Sequence, residues 1–116
     1  MTKIYYYAKC GTCRKALKWM DENGYIYEKL SIQEVHPDVE EIKMLHEKSG
    51  MPLKKFYNTS GGAYKELGLK DKLATMSEEE QYALLASNGM LVKRPLLVTD
   101  KGVYPGFKED AWEELL

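Results

Sequence analysis

Apolar and polar positions change period several times along this chain, and the changes mark its elements. The opening run Lys3-Ile4-Tyr5-Tyr6-Tyr7 is short, β-branched and aromatic, and reads as a buried strand. Directly after it, Cys13, Ala16, Leu17 and Met20 recur at helical spacing as one apolar stripe, and Asn23-Gly24 supplies a stop. Tyr25 to Leu30 returns to strand formers. Strand, single crossover helix and strand together predict a parallel pair.

His36-Pro37 opens a second helix in which Val39, Ile42 and Leu45 share a face, closed by Ser49-Gly50. From Met51 to Gly89 the pattern stays helical in short pieces. Leu53 to Tyr57 and Ala63 to Leu67 flank the breaker Asn58-Thr59-Ser60-Gly61-Gly62, and Ser77 with Glu80 forms a capping-box pattern ahead of Tyr82 to Leu85 and the stop at Asn88-Gly89. Strand character returns at Leu96 to Thr99. After the turn Asp100-Lys101-Gly102, Val103-Tyr104 can pair back antiparallel, and Glu109 to Leu116 forms a last helix with Trp112, Leu115 and Leu116 facing the sheet. The order β-α-β, helices, β-β-α predicts an α/β, thioredoxin-like fold with a mixed sheet: one domain over residues 1–116, with a helical insertion at about 37–89.

Charge narrows the partners. Seventeen basic and eighteen acidic residues leave a formal net charge of −1, which gives no broad basic footprint for direct contact with nucleic acid. No apolar run approaches the roughly 18 residues that span a bilayer, and no charged-then-apolar leader opens the chain, so a cytoplasmic monomer without membrane contact is expected. In that reducing compartment, two cysteines predict redox chemistry or metal binding rather than a permanent staple.

The two cysteines fall in Ala8-Lys9-Cys10-Gly11-Thr12-Cys13-Arg14-Lys15-Ala16, where strand gives way to helix. A helix start offers unpaired N–H groups and the positive end of the dipole, which favours an anion. A thiol of ordinary pKa about 8.5 falls towards about 3.5–7.5 at a helix N-terminus, in a C-x-x-C pair and beside cations. Cys10 meets all three conditions, with Lys9 and Arg14 as nearby charges. Cys13 lies on the apolar stripe and suits the role of resolving thiol. Gly11, Thr12 and Arg14 are then candidates for binding an anion or substrate at the loop.

The bland alternatives are two core cysteines that happen to lie close together, and a solvated first helical turn for Lys9, Arg14 and Lys15. Zinc is a weaker competitor, because His36 and His46 lack finger spacing and there is no second C-x-x-C, so no metal site is expected. The plain reading of each histidine is solvent-exposed or capping. Tyr5-Tyr6-Tyr7 reads as strand packing without a functional role. Arg94-Pro95 opens the third strand, where a proline is tolerated.

These residues carry a resemblance to the ArsC/Spx family, thioredoxin-like proteins related to glutaredoxin-coupled arsenate reductases and to Spx/MgsR transcriptional regulators. The landmarks run in order: Cys10 to Ala16, then Tyr64-Lys65-Glu66-Leu67-Gly68-Leu69, then Lys93-Arg94-Pro95-Leu96, then Gly106-Phe107. The resemblance implies that Pro95 is cis beside the cysteine loop and brings Arg94 to Cys10, making Cys10, Cys13 and Arg94 the candidate catalytic groups and Pro95 part of the binding loop. It also implies an arsenate-reductase-like oxidoreductase that binds no cofactor and draws on an external thiol reductant, whether glutathione, glutaredoxin or thioredoxin, with that reductant or a disulfide substrate as partner. The alternative it implies is a redox-sensing regulator that binds the RNA polymerase alpha subunit. Arsenate reductases of this kind resemble one another in holding the oxyanion with three arginines. Here Arg14 and Arg94 are the only arginines, the other matching positions falling at about Asn58 and at Phe107 or Lys108. Lysines do not reproduce bidentate oxyanion binding.

Overall fold

The computed structural model describes residues 2–116. Four strands, β1 (Lys3–Tyr6), β2 (Glu28–Ser31), β3 (Leu96–Thr99) and β4 (Gly102–Pro105), form one mixed sheet in the order β2-β1-β3-β4. β1 pairs parallel with β2 and antiparallel with β3, with Ile4 opposite Lys29 on one side and Leu97 on the other, and β3 pairs antiparallel with β4. This is the expected thioredoxin-like α/β arrangement.

Strand alternation divides the core into two layers. Ile4 and Leu97 pack with Ala16, Met20 and Trp112 beneath helices α1 (Gly11–Glu22) and α6 (Glu109–Leu115). Tyr5, Leu96 and Val103 point to the opposite face, where they meet Ile42 and Leu45 of α2 (Val39–Ser49) and Tyr82 and Leu85 of α5 (Glu78–Ser87). Between α2 and α5 lie the short helices α3 (Gly62–Glu66) and α4 (Leu69–Lys72) and turns of 3₁₀ helix. The capping box anticipated at α5 is present: Glu80 N–H donates to Ser77 Oγ and Ser77 N–H to Glu80 Oε1, each at 3.1 Å.

Several boundaries differ from the sequence reading. The second strand begins at Glu28 rather than Tyr25, because Tyr25 N–H is spent on the Met20 carbonyl at 3.1 Å and the chain does not run beside β1 until Glu28 N–H reaches Thr2 O. Ile26 consequently stands 86% exposed. The second helix does not start at His36-Pro37. Asp38 caps it by accepting from Glu41 N–H at 2.9 Å, and Val39, in the first turn, is exposed while Ile42 and Leu45 are buried. His46 is neither fully exposed nor a cap: its Nδ1 lies 2.7 Å from the Tyr82 hydroxyl between α2 and α5.

Candidate functional site

The cysteine loop takes its shape from backbone bonds. β1 ends at Tyr6, and the Tyr7 carbonyl turns to accept from Cys10 N–H at 3.0 Å. Cys10 then has extended geometry, φ −92° and ψ 119°, and its carbonyl accepts from Arg14 N–H at 3.1 Å, which makes it the N-cap of α1. The Arg14 side chain closes the loop by donating from Nε to the Ala8 carbonyl at 3.1 Å. That bond uses Nε alone, on a side chain that is otherwise exposed.

Cys10 is half-buried and Cys13 is 1% exposed, buried as its place on the apolar stripe requires. Their surroundings drive the two thiols apart. Partial burial of Cys10 works against its thiolate, but the Cys13 N–H and thiol, the Thr12 N–H and the charge of Arg94 outweigh it and hold Cys10 below the ordinary thiol range. Burial dominates at Cys13 and, together with the neighbouring Cys10 sulfur, pushes it up to about 12, against relief from the Tyr7 N–H and Arg94. That Tyr7 N–H donates to Cys13 Sγ at 3.4 Å.

The Arg94–Pro95 peptide bond is cis. Buried Pro95 accepts from Gly106 N–H at 2.8 Å, and Arg94 turns back under the loop. Its Nη1 donates to the carbonyls of Met90 at 3.1 Å and Val92 at 3.4 Å, and its Cζ lies 4.7 Å from the centre of the Tyr7 ring. Arg94 Nε is buried without a hydrogen-bond partner among the described residues. Cys10, Cys13 and Arg94 are thus brought together, with Thr12 contributing its backbone. Gly11 is exposed at the helix start, and a side chain there would meet nothing within 4 Å, so no steric demand for glycine arises.

Two features of the site escaped the sequence reading. Tyr7, read as strand packing, lies just beyond β1 and touches all three reacting candidates: its carbonyl bonds Cys10, its N–H bonds Cys13 and its ring carries Arg94. Its place at a strand end before a C-x-x-C loop was the available signal. The second feature is a pair of clefts. One, of about 370 Å³, is lined by Thr12, Lys55, Lys93 and Lys108 with apolar walls that include Phe107, and the next, of about 300 Å³, by Lys54, Lys55, Tyr57, Thr59 and Lys93. They form because Lys93 N–H bonds Phe56 O at 2.7 Å and Asn58 N–H bonds Leu91 O at 2.8 Å, which lays the insertion beside the segment leading to Arg94. Lysines distant in sequence meet there. Asn58 does not line either cleft, whereas Phe107 and Lys108 line the first.

Among the described residues no group of three or more His, Cys, Asp or Glu side chains converges, and no helix is long and apolar enough to cross a membrane.

Comparison with known proteins gives a consistent picture. The family model described as the ArsC family matches residues 5–115. The chain is similar to the uncharacterized protein YusI of Bacillus subtilis, 58% identical over 96% of this chain and 94% of that one. It is also similar to a solved ArsC-family-related protein of Bacteroides fragilis, 54% identical with a TM-score of 0.96, covering 99% and 97% of the two chains. More distantly, it resembles the global transcriptional regulator Spx of Staphylococcus epidermidis, at 24% identity over 95% of this chain and 82% of that one.

Proposed function

Since this chain belongs to the ArsC family, we propose that it is a thiol-disulfide oxidoreductase in which Cys10 is the nucleophile and Cys13 resolves the bond that Cys10 makes. The observation that carries this reading is the placement of two thiols in one turn of chain, Cys10 part-exposed at the N-cap of α1 beside N–H donors and Arg94, which lower it, and Cys13 buried, which raises it. A lowered thiol is the one that attacks, since the thiolate is the nucleophile. A buried neighbour held protonated donates a hydrogen bond to that thiolate in the resting state and becomes an attacking group only once Cys10 is engaged. Arg94 contributes positive charge beside the reacting sulfur and lowers the cost of carrying it as an anion. An external thiol would return the oxidised pair to the dithiol.

Mild oxidation followed by mass spectrometry of the intact chain tests this. The expected product is an intramolecular Cys10–Cys13 bond, seen as the loss of two hydrogens. Intermolecular dimers or adducts on Cys10 alone would show that Cys13 does not resolve.

The similarity to Spx favours a second reading, in which the same cysteine pair is a redox switch on a regulator that binds RNA polymerase. With a net charge of −1, such a role would pass through a protein partner rather than through DNA. A pull-down from reduced and oxidised samples that recovers no polymerase subunit in either state would remove it.

A further inference from the structure

The two clefts beside the cysteine loop share Lys55 and Lys93, and their walls carry Lys54, Lys55, Lys93 and Lys108 without one carboxylate. On a chain of net charge −1 this is a marked separation of charge. Among the described residues none of the four ammonium groups forms an ion pair, although ion pairs occur elsewhere, as between Lys43 and Glu79. Four like charges left unneutralised in one groove repel one another, and an anionic ligand relieves that repulsion.

The form of the groove narrows the class of anion. Ammonium groups are point charges on flexible stems and do not offer the planar fork that grips a compact oxyanion. Here they are spread over two adjoining clefts whose walls also include Met51, Tyr57, Tyr104 and Phe107. Carboxylates spaced along an extended chain match that pattern better than one small dianion. The groove also adjoins the reacting sulfur: Thr12 lines it while its N–H faces Cys10, Lys93 precedes Arg94, and Gly106 is bonded to Pro95.

We propose that this lysine groove binds an acidic peptide segment next to a disulfide and so presents that disulfide to Cys10. The chemistry rests on the thiol-disulfide reading above; the binding does not. The Cys10 thiolate attacks one sulfur of the peptide disulfide, forming a mixed disulfide and releasing the other sulfur as a thiolate. That thiolate takes up the proton that Cys13 gives up. Cys13 then attacks Cys10 Sγ and expels the second peptide sulfur, which is protonated by solvent. Two electrons pass from the Cys10/Cys13 dithiol to the peptide, which leaves as two thiols.

Binding is measured by fluorescence anisotropy with a labelled Glu-Gly peptide carrying serine in place of cysteine, against versions with Gln or Lys in place of Glu. The Glu peptide is expected to bind, to weaken about tenfold between about 0.02 and 0.3 M salt, and to lose about tenfold in Lys55→Gln and in Lys108→Gln. Lys43→Gln, remote from the groove, should leave it unchanged. Failure of the Glu peptide to bind, equal binding of the Lys peptide, or an equal loss in Lys43→Gln overturns the proposal. In a second arm, disulfide-linked versions of the same peptides are offered to the reduced protein. Faster reduction of the Glu version supports presentation to Cys10, and equal rates for all versions overturn it. Binding of the Glu peptide without reduction of any version overturns the thiol-disulfide reading while the groove keeps its ligand class.

Discussion

The guanidinium carbon of Arg94 lies 4.7 Å from the centre of the Tyr7 ring, while the backbone of that same tyrosine bonds both cysteines. One residue just beyond β1 therefore touches the positive charge and both cysteines at once. A cation over an aromatic face is worth about 0.5–2 kcal/mol, enough to choose one orientation for a long side chain.

Tyr7→Phe keeps the ring and should leave the pH dependence of Cys10 alkylation unchanged. Tyr7→Leu keeps the backbone bonds but takes the ring from under Arg94, leaving the Nη1 bonds to Met90 and Val92 to hold the guanidinium, and should move the profile to higher pH. In an Arg94→Ala background the Leu substitution should add nothing. Additive shifts in the double variant would mean that Tyr7 acts on Cys10 by some route other than Arg94.

The opposed tuning of the two thiols predicts their reactivity. Because Cys10 is lowered, a larger share of it is thiolate at a given pH than of an ordinary thiol, and iodoacetamide should label it before Cys13. Cys13, pushed up to about 12, should stay unlabelled in the folded chain well above neutrality. Arg94→Ala should raise the Cys10 pKa, each unit corresponding to about 1.36 kcal/mol of lost thiolate stabilisation, and Arg94→Lys should restore part of it. The measurement is best made with Cys13→Ser, which keeps a donor near Cys10, and superimposable curves would remove Arg94 from the site.

The same pKa shifts give a sign for stability. Cys13 ionises at about 8.5 in an unfolded chain and about 12 when folded, so its contribution to stability is complete below the lower value and is lost as pH rises towards the higher. Cys13→Ser should therefore flatten the alkaline decline in urea midpoint. A decline of equal steepness in the variant would show that the cost of ionising Cys13 is not felt on folding.

Arsenate turnover should be weak or absent. Of the two arginines, Arg14 is held on the Ala8 carbonyl, and Arg94 has Nη1 committed to Met90 and Val92. The other cations near the loop are lysines, which do not grip an oxyanion bidentately. A coupled assay returning ordinary enzyme rates, about 1–1000 per second, would overturn this expectation.

Trp112, fully buried beneath the sheet, donates from Nε1 to the Gly106 carbonyl at 2.9 Å and stacks edge-on against Phe107 at 4.9 Å. It anchors the segment that forms one wall of the lysine groove. Trp112→Phe leaves that carbonyl without its donor and should cost about 1–3 kcal/mol in urea unfolding, beyond any effect of ring size. No measurable change would mean that the segment is held by other contacts.

The sequence by itself determined the local features. The apolar stripe from Cys13 to Met20 dictated a helix that starts directly after Cys10, because side-chain spacing on a helix depends on near neighbours alone. The capping box at Ser77 and Glu80 and the strand at Leu96 to Thr99 were legible for the same reason. Elements whose ends depend on partners were not: the second strand starts where Thr2 becomes available to Glu28, and no pattern within Tyr25 to Leu30 records that. The resemblance supplied the cis bond before Pro95, but the commitment of Arg94 to Met90, Val92 and the Tyr7 ring depended on how the insertion lies against the sheet. The groove was furthest from reach. Lys54, Lys55, Lys93 and Lys108 are ordinary surface charges in sequence, and only the backbone bonds joining Phe56 to Lys93 and Pro95 to Gly106 gather them beside one cysteine.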